Sequence, residues 1–249
     1  MVSKSGNKSA QPVPLSDTTV RSEVVYPHLE GSRLVLWRNQ FNLVKRMGRT
    51  SDARRRLIEA AHDLIWEYSY GAVTIDAICE RAAVKKGSFY YFFDSKADLA
   101  LVAVNQWWTE RQALIEKTFQ PNVPPLDRLR HYLNFVSQRQ CKAYESTGQV
   151  LGCPLFTLGS EISTQDERLR LRIHEILVSV TGYFEQAIAD AQEAGEVEGH
   201  DSALKARNLV SYYEGLLTKA RIENNIESIR NLSTEALEVI GVHSPATAT

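Results

Sequence analysis

The segment from Thr74 to Lys96, TIDAICERAAVKKGSFYYFFDSK, constrains the fold more than any other part of this 249-residue chain. Ile75, Ile78 and Cys79 recur at the i, i+3, i+4 positions of one helical face. Ala82-Ala83-Val84 then interrupts the polar pattern with small and apolar residues. Lys85-Lys86-Gly87-Ser88 opens a second helix, whose buried side is Phe89, Phe92 and Phe93. The spacing predicts two short helices set at an angle around a tight turn. Lys85, Lys86, Ser88, Tyr90 and Tyr91 are left outside. Lysines meet phosphates or guanine edges, while hydroxyl and phenol groups donate to phosphate oxygens. The segment therefore reads as a helix-turn-helix, with its second helix in the DNA major groove. Thr74 is positioned to cap the first helix through its side-chain oxygen and to touch a phosphate from that exposed end.

From Ser51 to about Trp108 the chain resembles the TetR family of bacterial transcriptional repressors. The resemblance rests on one amphipathic helix, the Thr74-Ile75 opening of the next, and the run Val84 to Lys96. Gly87, the small hydroxylated Ser88, Tyr90, Phe93 and Lys96 fall where the family pattern wants them. Ala83 departs from it, because the family usually places Gly in the turn. If that position requires a positive φ, Ala costs about 1 kcal/mol. The resemblance implies an all-α fold: an N-terminal three-helix DNA-binding domain plus a C-terminal helical bundle for effector binding and dimerisation. It also implies a homodimeric repressor on a double-stranded, palindromic operator in the cytoplasm, released by a small molecule. Phosphate contacts are expected from Tyr90, Lys96 and the cluster Arg54, Arg55, Arg56. Base reading is expected from Lys85, Lys86, Ser88 and Tyr91, with Thr74 and Gly87 on the same surface.

Charge is distributed as such a protein needs. The net charge is −1, but residues 1–50 hold eight Lys/Arg against three Asp/Glu. Residues 51–98 hold seven against eight, and the remainder fourteen against nineteen. Cations gather at Lys45, Arg46, Arg49 and Arg54 to Arg56, whereas the acidic C-terminal part repels phosphate. Three cysteines at unrelated spacings argue against a disulfide framework and for a reducing cytoplasm. The six histidines are scattered and assemble no metal site by local spacing. No apolar run reaches the length of a membrane span, and the first residues lack the apolar core of a secretory signal.

Residues 1–32 are rich in Ser, Pro and polar residues and read as disordered. Residues 34–47 carry only a weak stripe (Leu34, Trp37, Phe41, Val44). Met47 is a candidate native start, which would make residues 1–46 an upstream extension. Alternatively, the segment is a basic arm that reads DNA in the minor groove. A DNA-binding domain is expected over 47–110, and an effector and dimerisation domain over 111–243. Helices are expected at about 52–69 (capped by Ser51), 96–119 (capped by Ser95), 126–145, 165–194, 202–223 and 226–240, with Gln120 to Pro125 as a linker. Gly148 to Gly159 reads as loop-like at both ends around a short apolar core. Its Gly-Cys-Pro-Leu, with Leu158 and Glu161, resembles a stretch in the effector domains of some TetR-type proteins. No run alternates convincingly as a strand.

Catalysis finds no support: the chain lacks a Gly-x-Ser-x-Gly elbow, a P-loop, a Gly-x-Gly-x-x-Gly and a His-Glu-x-x-His. His174 and Glu175 are sequence neighbours and point different ways on a helix. No cofactor is implied. Pockets between bundle helices are mostly apolar with a few polar groups, and Trp107, Trp108, Tyr132, Phe135, Cys153, Phe156, His174 and Tyr183 are the candidate lining. Core packing is the competing role for each. Cys153 has no neighbouring cation in sequence to make it a redox-sensing thiolate. The helix over 202–223 is apolar over so wide an arc that it needs two partners. Leu209, Tyr213, Leu216 and Leu217, with Ile229 and Leu237, are therefore expected at a dimer interface. Two further readings stay open: a DNA-binding protein without a small-molecule effector whose C-terminal domain contacts partner proteins, and an enzyme with a vestigial DNA-binding head.

Overall fold

A computed structural model describes residues 52–242. The readings of residues 1–46, of Met47 as a start and of Ser51 as a cap lie outside these residues. Among the described residues the chain is all-α, with nine α-helices, one 3-10 turn and no strand. The helices are α1 (Asp52–Tyr68), α2 (Ile75–Arg81), α3 (Lys86–Phe92), α4 (Lys96–Thr118) and α5 (Pro125–Thr147). They continue with α6 (Pro154–Ile162), α7 (Glu167–Glu193), α8 (Ser202–Glu223) and α9 (Leu232–Glu238). The 3-10 turn, Ile226–Ile229, precedes α9.

Local chemistry sets the boundaries. Thr74 accepts a hydrogen bond from the Ala77 amide at 3.1 Å and so caps α2. Ser95 accepts from the Asp98 amide at 3.1 Å while its hydroxyl donates to the Asp98 carboxylate, closing the start of α4. Asp166 and Asp201 do the same for α7 and α8 through Leu169 and Leu204. Each satisfies an amide that the first helical turn leaves without an intrahelical partner.

Two stretches differ from their expected course. The apolar part of Gly148–Gly159 is helical, because Pro154 sits in the first turn of α6, where its missing N–H costs nothing. The expected single helix over 226–240 is broken: the Asn225 side chain accepts from the Glu227 amide and caps the 3-10 turn, and α9 starts only after Asn231.

Helices α1 to α3 and the start of α4 form the head, with Phe89 and Phe93 buried between α1 and α4. Ring contacts among Phe119, Tyr132, Phe184 and Tyr213 centre the body. Arg128 pins the 120–125 linker: it donates to the carbonyls of Pro121 and Val123 and pairs with Asp190 on α7.

The expected dimer interface is corrected by this packing. Leu209, Tyr213, Leu217, Ile229 and Leu237 are buried within the single chain, and Leu216 packs half-buried against the same core. The two partners required by the wide apolar arc of α8 are α7 on one side and the 3-10 turn with α9 on the other.

Candidate nucleic-acid interface and effector cavity

The second helix of the motif presents the expected face. Lys85, Lys86, Gly87, Tyr90 and Tyr91 are exposed and Ser88 is partly so, while Phe89 between them is fully buried. Tyr91, at 82% exposed, has an apolar ring standing in solvent. Lys86 Nζ lies 2.8 Å from the Asp76 carboxylate of α2, which raises its pKa and holds the side chain at the outer edge of the turn. Thr74 is exposed at the start of α2. Ala83, in the turn, has φ +51°, the left-handed conformation that its sequence position led one to expect. A Cβ on Gly87 would meet nothing within 4 Å, so the fold itself does not require glycine there.

The cationic cluster on α1 is only partly available. Arg54 is corrected from a DNA contact to a core residue: it is 8% exposed, with its guanidinium over the Phe93 ring at 5.6 Å. Arg55 is exposed but bonded to Asp52 and Glu59 on its own helix, and Arg56 pairs with Asp52. Lys96 also departs from expectation. Its Nζ donates to the carbonyls of Tyr70 and Val73 at 2.8 and 2.7 Å and lies 4.1 Å from the Tyr70 ring. Burial lowers its pKa. In this arrangement it closes the loop between α1 and α2 and has no Nζ hydrogen left over for more than one phosphate bond.

The body holds a cavity of about 70 Å³, open on one side, between α4, α5, α6, α7 and α8. Of the candidate lining residues, Trp107, Tyr132, Phe135 and Cys153 reach it. The other four do not. Trp108 is 6% exposed and packed in the core, because one residue further along α4 turns it about 100° away from Trp107. Phe156 and Tyr183 are half-buried elsewhere, Tyr183 against Phe119. His174 is exposed on the outer face of α7.

Sequence reasoning missed the polar groups of the cavity. Glu214 is 3% exposed, and its Oε2 has no hydrogen-bond partner among the described residues. The carboxyl group receives donors from Cys153 and Tyr213, yet burial dominates and pushes its pKa up to about 7. Burial, followed by the Glu214 charge, raises the Cys153 thiol well above its ordinary value. Cys153 is therefore held as a thiol and lacks the low pKa that a redox-sensing cysteine needs. Arg111 stacks between the Trp107 and Phe135 rings, and Arg139 stacks over Trp66 at 4.9 Å. A usable signal existed for Glu214: it falls with Val210, Tyr213 and Leu217 on the apolar arc of α8, where a solvated glutamate does not belong.

One wall of the cavity is tied to the head. Trp66, near the end of α1, donates from Nε1 to the Gly152 carbonyl at 2.9 Å. Gln140 of α5 both donates to that carbonyl and accepts from the Gly152 amide, each at 2.9 Å. Arg221 of α8 donates to the Trp66 carbonyl at 3.2 Å. Head, cavity wall, α5 and α8 thus meet at one backbone segment.

Comparison with known proteins agrees with both halves. Residues 57–103 match the model described as bacterial regulatory proteins, tetR family. Residues 125–235 match the tetracyclin repressor-like C-terminal domain. The transcriptional regulator AcuR of Cereibacter sphaeroides is 28% identical over 173 residues, covering 69% of this chain and 77% of that protein. The HTH-type transcriptional repressor DhaR of Mycobacterium sp. strain GP1 is 27% identical over 197 residues, covering 78% and 94%. A crystal structure of a regulatory protein TetR from Rhodobacter sphaeroides superposes with a TM-score of 0.67 at 26% identity, covering 76% of this chain and 99% of that one. The fold, the exposed recognition helix and these matches to head and body agree, and the chain belongs to the TetR family of bacterial transcriptional regulators, DNA-binding proteins that are not enzymes.

Proposed function

We propose that this regulator is a cytoplasmic homodimeric repressor, released from a palindromic operator when a small molecule enters the body cavity. The observation that carries the reading is the bond from Trp66 to Gly152: the last turn of α1 in the head is fastened to a backbone segment that lines the cavity. A ligand that displaces Gly152–Cys153 pulls on the head directly. A second route is a tilt of α4, which joins head and body: Trp107 is a cavity wall, while Trp108 serves the core. Repression is favoured by the names of two relatives, DhaR and NemR, both described as repressors. The head is assigned to 47–110 and the body to 111–243, with α4 shared between them.

Two heads must reach successive major grooves, about 34–36 Å apart, so a two-fold body is required. Its contact face is assigned to the outer sides of α7 and α8. Leu204, Ser211, Gly215, Thr218 and Ile222 share one face of α8 at seven-, four- and three-residue spacings, and His174, Val178 and Gly182 follow at four-residue spacings along α7. Most of them are exposed small or apolar groups, suited to close packing of a second helix pair.

Duplexes selected from a random pool test this. An inverted repeat protected by two copies of the chain is the expected result; an asymmetric site bound by one copy would refute the dimeric reading.

A further inference from the structure

The cavity combines three features that narrow what it accepts. First, Arg111 and Arg139 line it, and neither has a carboxylate within ion-pair distance nor any hydrogen bond among the described residues. Their guanidinium faces lie against Trp107, Phe135 and Trp66. Stacking occupies only the faces and leaves the N–H rim, the edge that binds a carboxylate bidentately. Burial lowers the Arg111 pKa, so its charge is held at a cost that a bound anion would offset.

Second, Glu214 is a nearly fully buried acid in the same wall, with Oε2 unpartnered. The groups facing it are the Cys153 thiol and the Tyr213 hydroxyl, with Tyr132 beyond them. None of these supplies a cation that would keep it ionised. Once protonated, Glu214 adds no charge to a lining that also holds the buried, unpartnered indole N–H of Trp107.

Third, the space is small. About 70 Å³ is less than half of the ~150 Å³ that accommodates benzene. Only a short carbon skeleton fits inside the walls, and anything longer leaves through the open side.

We infer that the effector of this regulator is a small organic monocarboxylate, its carboxylate held at the N–H rims of Arg111 and Arg139 and its short apolar part enclosed towards Tyr132 and Glu214. This rests on the ligand-responsive reading above and names its ligand class. The acid form of Glu214 then carries no charge that would repel the anion. Binding an anion favours that form, so affinity falls as pH rises through neutrality. The carboxylate itself remains ionised across this range.

The full chain should be titrated with propionate, butyrate, hexanoate and benzoate, with butyramide and butylamine as neutral and cationic counterparts. Tryptophan fluorescence and thermal shift report binding, because Trp66 and Trp107 line the cavity. At least one carboxylate is expected to bind at least tenfold more tightly than butyramide and butylamine. That preference should be lost in both Arg111→Gln and Arg139→Gln, each of which removes the charge and leaves a shorter polar side chain. In Glu214→Gln the carboxylate should still bind, but without the decline above neutral pH. No binding by any carboxylate, equal binding of butyramide, or unchanged carboxylate binding in both arginine variants would each overturn the assignment. The same titrations in the presence of operator separate the two claims. If butyramide binds and releases DNA, the ligand class is wrong and the ligand-responsive reading stands. If a carboxylate binds through the arginines and operator affinity does not change, the class stands and the release mechanism fails.

Discussion

At the scale of single residues, two positions show the chain accepting local cost. Ala83 holds φ +51° in the turn between α2 and α3. An L-residue there forgoes about 1–2 kcal/mol, from which glycine's extra freedom in the unfolded chain takes back about 0.5–1 kcal/mol. Ala83→Gly is therefore expected to stabilise the protein by roughly 0.5–1 kcal/mol, measured by denaturant unfolding; a loss of stability would contradict the strain argument. Glu214 is the second case. Its folded pKa is raised to about 7, above the 4.5 of the exposed acid. The unfolded chain therefore releases its proton first as pH rises. Stability tied to this group is present at acid pH, falls between about pH 4.5 and 7, and is lost above that window, by on the order of 3 kcal/mol in total. Unfolding midpoints of Glu214→Gln should lie flatter across this range and above the wild type at alkaline pH. Parallel curves would mean that Glu214 titrates normally.

At the scale of elements, the proposed function rests on α3 and the end of α1. A Cβ at Gly87 meets no atom of the protein, so glycine at an exposed helical position gives up roughly 1 kcal/mol of helix stability without a return in the fold. We propose that close approach of the DNA backbone is what requires it. Gly87→Ala should hold or raise the melting temperature while weakening operator binding about tenfold, or ~1.4 kcal/mol. Unchanged affinity would show that α3 does not come so near. Trp66→Phe removes the N–H that reaches Gly152 and leaves a smaller aromatic ring; it should cost at least about 0.5–1.5 kcal/mol of stability and shrink the effect of ligand on DNA binding. A full ligand response in this variant would move the coupling elsewhere. Helix positions and the exposed face of α3 were legible in the sequence, since they follow from 3.6-residue periodicity and from capping residues such as Thr74 and Ser95. The cavity was half legible. Trp107 and Phe135 are ordinary guesses for an apolar lining, but Arg111, Arg139 and Gln140 reach it through packing between helices distant in sequence. The fates of Arg54 and Lys96 were hidden for the same reason: a cation on a helix face looks solvated until Phe93 or the carbonyls of Tyr70 and Val73 are seen against it.

At the scale of the whole molecule, the apolar surface that α8 could not bury alone is used up inside the chain, so association depends on what remains outside. Val178 and Ile222 are 51% and 80% exposed on α7 and α8. Val178→Glu combined with Ile222→Glu should leave a folded monomer in sedimentation, with specific DNA binding lost because two linked heads no longer match the groove spacing. A dimer that persists in this variant would place the interface on another face. The central claim is that occupancy of the cavity and grip on the operator exclude one another. A ligand preferring the released state a hundredfold shifts the equilibrium by about 2.7 kcal/mol per site. The most direct measurement is fluorescence anisotropy of labelled operator, titrated with the protein before and after the cavity is saturated with a bound carboxylate. A fall of at least tenfold in operator affinity is the expected result, and unchanged affinity with the cavity demonstrably filled would contradict the account.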